Sequence, residues 1–205
     1  MASSGRQGAL VLSVLGLLAL NAPLMYRLGS LQGLQAWLFG GLGILLYIMW
    51  LALESRLSAR ELRLEVTEED QFTTELCAIA KIVLLLAALI GGGVVSWRTA
   101  GPGLGLLLAG IALRGVAIRQ LGSSYRFGIR LPEVLHTDGV YAFMRHPAYA
   151  GTLMAHAGVV LVFFNPFSVA AFTFLWVPAV LWRMMTEERL LRAAPAYAAY
   201  AQGET

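Results

Sequence analysis

The amino-acid sequence predicts an all-α, polytopic integral membrane bundle of five to six spans that ends in a helical hairpin. Hydrophobic residues make up 58% of the 205 residues and charged residues only 13%, whereas a soluble domain has about 25% charged residues. The apolar residues also occur in runs of about 20, the length that crosses a bilayer. Cys77 is the only cysteine, which excludes an intramolecular disulfide and a cysteine metal cluster.

Six apolar segments follow one another along the chain. The last apolar region, 147–182, is too long for one span, and Asn165-Pro166 interrupts it with a turn signal. We therefore expect this region to fold back as a hairpin. A charged connector at 54–75 and a second polar loop at 119–146 separate the other spans. The predicted spans are, in order, 8–28, 33–53, 76–97, 103–118, 147–164 and 167–182.

The arginines predict the orientation of these spans. If both termini and the two polar loops share one side, nearly all the loop arginines lie there, and only Arg27 and Arg98 lie on the other. Loop Lys and Arg face the cytoplasm, so both termini and both loops are predicted to be cytoplasmic. The abundance of Ala, Leu, Gly and Arg indicates a bacterial source and hence an inner membrane. The basic residues are scattered, so the chain lacks a nucleic-acid signature.

A dense polar stretch runs from Asp138 to Gly151 in this apolar chain, and it includes Tyr141, Arg145-His146 and Tyr149. Polar groups near a bilayer must be solvated, paired or functional. Pro147 is well placed to begin a helix. The free N–H groups and the positive dipole end of that helix favour an anionic group. The stretch therefore predicts a site, although Arg145 and His146 as interfacial anchors are the simpler alternative.

A second polar cluster closes the last apolar segment. Arg183 and Glu187 are four residues apart, which puts them on one face of a helix. They form either a salt bridge at the helix end or the second half of the same site as the first cluster. His156, inside the fifth segment, should face the bundle interior. It either lines a pocket for an acceptor molecule or forms a hydrogen bond with a neighbouring helix.

These motifs resemble the isoprenylcysteine carboxyl methyltransferase family, which belongs to a superfamily that includes phospholipid methyltransferases. The resemblance runs from Leu121-Gly122 to Tyr200. It rests on Gly-Val-Tyr, Arg-His-Pro-Ala-Tyr-Ala-Gly, Asn-Pro, Arg-x-x-x-Glu-Glu and Tyr-x-x-Tyr. It implies a methyltransferase that uses S-adenosylmethionine in a cytoplasmic pocket without a Rossmann domain, and the chain has no G-x-G-x-x-G motif after a strand.

The resemblance also assigns roles to residues. Residues 1–118 become N-terminal transmembrane helices and residues 119–205 the catalytic region. Arg183 and Glu187 are expected to be catalytic, with Arg183 on the acceptor side. His156 has no clear counterpart in the family and is a candidate for the acceptor side from its place in the span alone. No metal ligand is expected. The expected cofactor-binding residues are Val134, Leu135, Gly139, Tyr141, Arg145, His146, Pro147, Ala148, Tyr149, Glu187 and Glu188.

The acceptor is expected to be hydrophobic or lipid-like, with membrane lipids as the other partners. A carboxylate acceptor needs no general base. For an amine or a phenol, Glu187, Glu188 or His156 could take the proton. Two other functions stay open, an NADPH-dependent reductase of the sterol type and a non-enzymatic transporter or assembly protein. The sequence leaves the oligomeric state open.

Overall fold

In the computed structural model, residues 20–61, 72–122, 136–193 and 197 are described, and their regular structure is helical without any strand. Four of these helices are long and apolar enough to cross a membrane. Residues 20–30 form one further helical segment, and Pro147–Val162 is a shorter apolar helix. The predicted all-α membrane bundle is thus confirmed. The four long helices are Gly33–Ala52, Thr73–Ile90, Trp97–Leu121 and Pro166–Leu191.

The helix that begins at Gly33 contains a widened turn and is longer than predicted. It runs through Gly33–Ala36, the π-helical turn Trp37–Gly41 and then Leu42–Glu61 without a break. The predicted polar connector at 54–75 therefore starts as a continuation of this helix, because residues such as Leu57, Arg60 and Glu61 favour helix as readily as loop.

The predicted third span, 76–97, is wrong at its end. The helix is Thr73–Ile90, and the next one, Trp97–Leu121, begins after a short extended segment. Gly92 and Gly93 have φ of +75° and +91°, values that only glycine adopts readily. The glycine run ends the helix, and Ser96 caps the next one by accepting a hydrogen bond from the N–H of Arg98.

The 97–121 and 147–162 helices pack with their backbones in close contact. A Cβ on Gly151 would lie 2.7 Å from the N of Arg114 and 2.7 Å from the carbonyl oxygen of Gly110. Gly158 is equally close to the backbone of Leu107. Small residues allow this approach, which is how transmembrane helices gain packing energy without a hydrophobic driving force. This close packing fixes the start of the 147–162 helix against the 97–121 helix.

The C-terminal hairpin turns at Asn165, as predicted. The Asn165 side chain accepts a hydrogen bond from the N–H of Ser168, and the Ser168 hydroxyl accepts one from the N–H of Asn165, forming a capping box. The Asn165 amide also donates to the carbonyl of Ala87 at 3.2 Å, which ties the turn to the 73–90 helix. Pro178 lies just after a π-helical turn, Phe172–Trp176, in the second helix of the hairpin.

The helices alternate in direction, so the bundle has two ends. We call the end near residues 61, 73, 121, 147 and 191 the motif end, and the end near residues 30, 33, 90, 97, 162 and 166 the far end. At the far end, Arg27 donates to the carbonyl of Gly93. At the motif end, Arg183 donates to Thr73 and Thr74. Both polar sequence clusters therefore lie at one end of the molecule.

Candidate functional site

The 147–162 helix begins at the predicted residue. Pro147 is its first residue, and His146 is the N-cap but does not cap it with its side chain. The carbonyl of His146 accepts from the N–H of Ala150, as the first intrahelical bond requires. The described side chains therefore leave the N–H groups of Ala148 and Tyr149 without a cap. Such a helix N-terminus favours a negative charge.

The turn before this helix rests on the 97–121 helix. Gly139 has φ of +58° and packs against the Gln120 side chain so closely that a Cβ would overlap the amide. Gln120 in turn accepts from the N–H of Val140 at 3.1 Å. Tyr141 is buried, and its hydroxyl donates to the carbonyl of Ala117 at 3.5 Å. Gly139 and Tyr141 thus set the path of the turn. Val134 and Leu135 lie outside the described residues.

Glu188 joins the two sequence clusters. Its Oε1 accepts from Arg145 at 2.9 Å, and its Oε2 accepts from Nε2 of His146 at 2.7 Å. The same carboxylate accepts from Nε of Arg192 at 2.9 Å and from the hydroxyl of Tyr197 at 2.7 Å. Two donors therefore engage each oxygen. Because all four partners belong to the protein, Glu188 acts as a structural centre of the site.

Tyr197 enters this network from the C-terminal segment. Burial, followed by its hydrogen bond to Glu188, raises the pKa of the Tyr197 phenol. The phenol is therefore protonated at neutral pH and donates to the carboxylate. In the sequence this tyrosine is visible only as part of the Tyr-x-x-Tyr motif, which predicts no role for it. The hydrogen bond to Glu188 ties Tyr197 to Val177–Leu191, the helix that follows the π-helical turn.

Glu187 faces the other side of the site. Its carboxylate lies close enough to the phenol of Tyr149 to act on it electrostatically, and Arg183 acts on the same phenol. Tyr149 also contacts His146, with ring centroids 5.9 Å apart in a T-shaped arrangement. Tyr149 therefore lies between the first cluster and the second. Glu187 and Tyr149 are both partly exposed, so the carboxylate is accessible to a ligand.

Arg183 is buried and reaches across to the 73–90 helix. Its NH1 donates to the hydroxyl of Thr74 at 2.6 Å and to that of Thr73 at 3.2 Å. Both threonine hydroxyls accept from the guanidinium and so orient it. Sequence reasoning missed both threonines, because two threonines at the start of an apolar helix also fit ordinary capping.

His156 lies away from the other candidate residues. It is 1% exposed, and its Nδ1 donates to the carbonyl of Thr152 at 2.8 Å. The hydroxyl of Tyr47 then donates to Nε2 at 3.1 Å, which fixes the tautomer. The rings of Trp50 and Trp176 enclose it, with centroids 5.0 Å and 4.4 Å away. Of the two predicted roles, the structure shows the hydrogen bond to a neighbouring helix.

Arg114 is a further residue that sequence reasoning did not place near the site. Its NH1 donates to the carbonyl of Ala148 at 3.2 Å and to the hydroxyl of Thr152 at 2.8 Å. Arg114 thereby ties the first two turns of the 147–162 helix to the 97–121 helix. Within the described part of the chain, His, Cys, Asp and Glu form no group of three that could hold a metal ion.

Comparison with known proteins shows which proteins the region of these motifs is similar to. The profile of the isoprenylcysteine carboxyl methyltransferase (ICMT) family matches residues 103–193. Protein-S-isoprenylcysteine O-methyltransferase B of Arabidopsis thaliana is 35% identical over 95 residues, 44% of this chain and 46% of the relative. Protein-S-isoprenylcysteine O-methyltransferase A of the same plant is 30% identical over 131 residues, 60% of this chain and 64% of the relative.

A third relative comes from an insect. Protein-S-isoprenylcysteine O-methyltransferase of Tribolium castaneum is 35% identical over 75 residues, 35% of this chain and 27% of the relative. The matches to the two plant proteins and to the insect protein are therefore partial, and the chain spans about half the length of the first of these relatives. No solved structure matches the chain. The matched region holds both polar clusters and the close helix pair.

Proposed function

We propose that this chain, whose residues 103–193 belong to the isoprenylcysteine carboxyl methyltransferase family, is an integral membrane methyltransferase that uses S-adenosylmethionine and methylates a hydrophobic, lipid-like acceptor. One observation carries the proposal. The two polar clusters, 42 residues apart in sequence, meet through the bond between His146 and Glu188. That contact places Glu187, Tyr149 and the free end of the 147–162 helix around one region at the motif end.

The chemistry of this region fits S-adenosylmethionine. The uncapped N-terminus of the 147–162 helix suits the cofactor carboxylate. The accessible carboxylate of Glu187 suits an ammonium group or ribose hydroxyls, and the rings of His146 and Tyr149 offer aromatic contact. When bound, the cofactor supplies a methyl group on a positively charged sulfonium, which is a good leaving group.

The remaining residues hold this arrangement in place. Glu188 keeps Arg145 and His146 against the 177–191 helix, and Arg114 fixes the carbonyl of Ala148. Methyl transfer to a carboxylate requires no proton removal, so the protein mainly supplies proximity and exclusion of water. Gly139 and Tyr141 contribute by setting the turn that leads into the helix.

Arg183 is the residue proposed to orient the acceptor. Its guanidinium is buried and held by Thr73 and Thr74, and a fixed cation of this kind suits a carboxylate. The relatives are named for methylating isoprenylcysteine. We therefore infer a carboxylate on a lipid-modified cysteine as the acceptor class, and we place the motif end at the cytoplasmic face because the loop arginines gather there.

A methyl-transfer assay tests this proposal. Detergent-purified protein receives S-adenosylmethionine with a labelled methyl group and either S-farnesylcysteine, its carboxamide or phosphatidylethanolamine. We expect label in an alkali-labile ester of S-farnesylcysteine and none in the carboxamide. Label in phosphatidylethanolamine alone would overturn the acceptor class, and no transfer to any of them would contradict the proposal. Arg183→Ala should abolish transfer, whereas Arg189→Ala, an exposed arginine of the same helix, should not.

A further inference from the structure

An apolar cavity of about 360 Å³ extends along the bundle from Ala52 towards Leu89 and Phe163 near the far end. It lies between the 20–30, 33–61, 73–90 and 147–162 helices, and Asn21 and Tyr47 are the polar residues among those that line it. An engineered apolar cavity of about 150 Å³ holds benzene, so this cavity has room for a longer hydrocarbon. Its apolar lining includes Leu24, Ile44, Leu89, Val159 and Phe163.

A buried cation lies at the far end of this cavity. Leu20 and Leu24 line the cavity, and Arg27 continues the same helix face one turn later. Its guanidinium lies 5.3 Å from the ring centroid of Phe163, which also lines the cavity. Arg27 is only 5% exposed, so its charge is withdrawn from solvent at the rim of an apolar space.

Arg27 has few partners for a buried charge. Its NH2 donates to the carbonyl of Gly93 at 2.9 Å, and its Nε is buried without a hydrogen-bond partner among the described residues. The ion pairs found among the described residues all involve Glu188 at the opposite end. Asp and Glu do not occur in residues 20–53, 76–118 or 147–186. A buried charge without a carboxylate is costly, so a partner from outside the protein is expected.

We propose that Arg27 and this cavity form a binding site for one anionic phospholipid at the far end of the bundle. The phosphate pairs with the guanidinium, and one acyl chain occupies the cavity. Basic pockets between transmembrane helices bind acidic headgroups by the same chemistry. The site lies at the end opposite His146 and Glu188. It is therefore separate from the proposed methyl-transfer site and does not depend on that function.

The test compares two phospholipids that share their acyl chains. Protein stripped of lipid in detergent is titrated with dioleoylphosphatidylglycerol or dioleoylphosphatidylcholine, and thermal stability and bound lipid are measured. We expect stabilisation and about one bound lipid per chain with phosphatidylglycerol only. Equal effects of both lipids would overturn the proposal. An equal stabilisation by inorganic phosphate would also overturn it, since the ligand would then be a free anion.

Three variants separate the charge from the cavity. Arg27→Gln should weaken phosphatidylglycerol binding about tenfold or more, since a charged hydrogen bond contributes about 1.5–3 kcal/mol. Val159→Phe keeps Arg27 but fills the cavity, and it should also lose the lipid. Arg98→Gln, the other far-end arginine, is the control and should bind normally. Unchanged lipid binding in Val159→Phe would contradict the proposal even if Arg27→Gln fails to fold.

Discussion

The carboxylate of Glu188 accepts a hydrogen bond from Nε2 of His146 at 2.7 Å, although the two residues are 42 positions apart in the chain. The bond crosses from the start of the 147–162 helix to the end of the 177–191 helix. The neighbouring residue, Glu187, lies near Tyr149 and takes no part in the hydrogen bonds described for Glu188. The two adjacent glutamates thus have different environments. We therefore expect substitution of Glu188 to affect stability and substitution of Glu187 to affect cofactor binding.

Glu188→Gln should destabilise the protein, because the amide loses the charge that four donors share and presents its own NH₂ group to them. We expect a loss of about 1–3 kcal/mol in unfolding free energy and weaker cofactor binding. Thermal unfolding in detergent measures the first and equilibrium binding the second. Glu187→Gln is the matched control. It should unfold near the wild-type temperature but lose binding, and identical behaviour of the two variants would contradict the division of roles.

Thr74→Val should impair the acceptor step and leave the cofactor step intact. It removes the 2.6 Å hydrogen bond that Arg183 donates, so the guanidinium loses its fixed position. We expect the KM for S-farnesylcysteine to rise and kcat to fall, with the affinity for S-adenosylmethionine unchanged. Steady-state kinetics with each substrate varied in turn measures this. A loss confined to S-adenosylmethionine affinity would show that Arg183 serves the cofactor instead.

Gly151→Ala should separate the close helix pair. The new Cβ would meet backbone atoms of Gly110 and Arg114 at 2.7 Å, and backbone atoms cannot rotate away. We expect a loss of about 1–3 kcal/mol in stability, as for other overpacked sites. Gly115→Ala on the same helix pair is the control, because nothing lies within 4 Å of its Cβ position. That variant should be neutral or more stable, and equal losses in both would contradict the packing account.

Tyr47→Phe should weaken the contact between the 33–61 helix and the 147–162 helix. It removes the hydroxyl that donates to Nε2 of His156 and leaves a buried ring nitrogen without that partner. We expect about 1–3 kcal/mol of destabilisation, measured by thermal unfolding. Tyr26→Phe, at a tyrosine that is 62% exposed, should have little effect. Stability equal to wild type in Tyr47→Phe would show that the buried histidine contributes nothing to this contact.

Local signals in the sequence were sufficient for much of the fold. Pro147 began its helix and Asn165 turned the hairpin, because both act on their immediate neighbours. The predicted third span ran past Gly91, Gly92 and Gly93 because hydropathy alone continues to Trp97. The glycines were visible in the sequence, but hydropathy does not show that Gly92 and Gly93 adopt the positive φ angles found where the helix has ended.

The candidate site was predictable in its residue types but not in its partners. The spacing of Arg183 and Glu187 suggested a pair on one helix face, and the structure pairs Arg183 with Thr73 and Thr74 instead. Those threonines lie more than 100 positions earlier. Sequence periodicity does not predict contacts between residues so far apart in the chain, because these contacts depend on how the helices pack. The roles proposed for the site residues stay predictions.

Equilibrium binding of S-adenosylmethionine to the detergent-purified protein, with NADPH measured in parallel, tests the central claim most directly. The account predicts saturable binding of S-adenosylmethionine, no binding of NADPH, and loss of binding in Glu187→Gln with an unchanged unfolding temperature. Binding of NADPH in place of S-adenosylmethionine, or full binding of S-adenosylmethionine by Glu187→Gln, would contradict it.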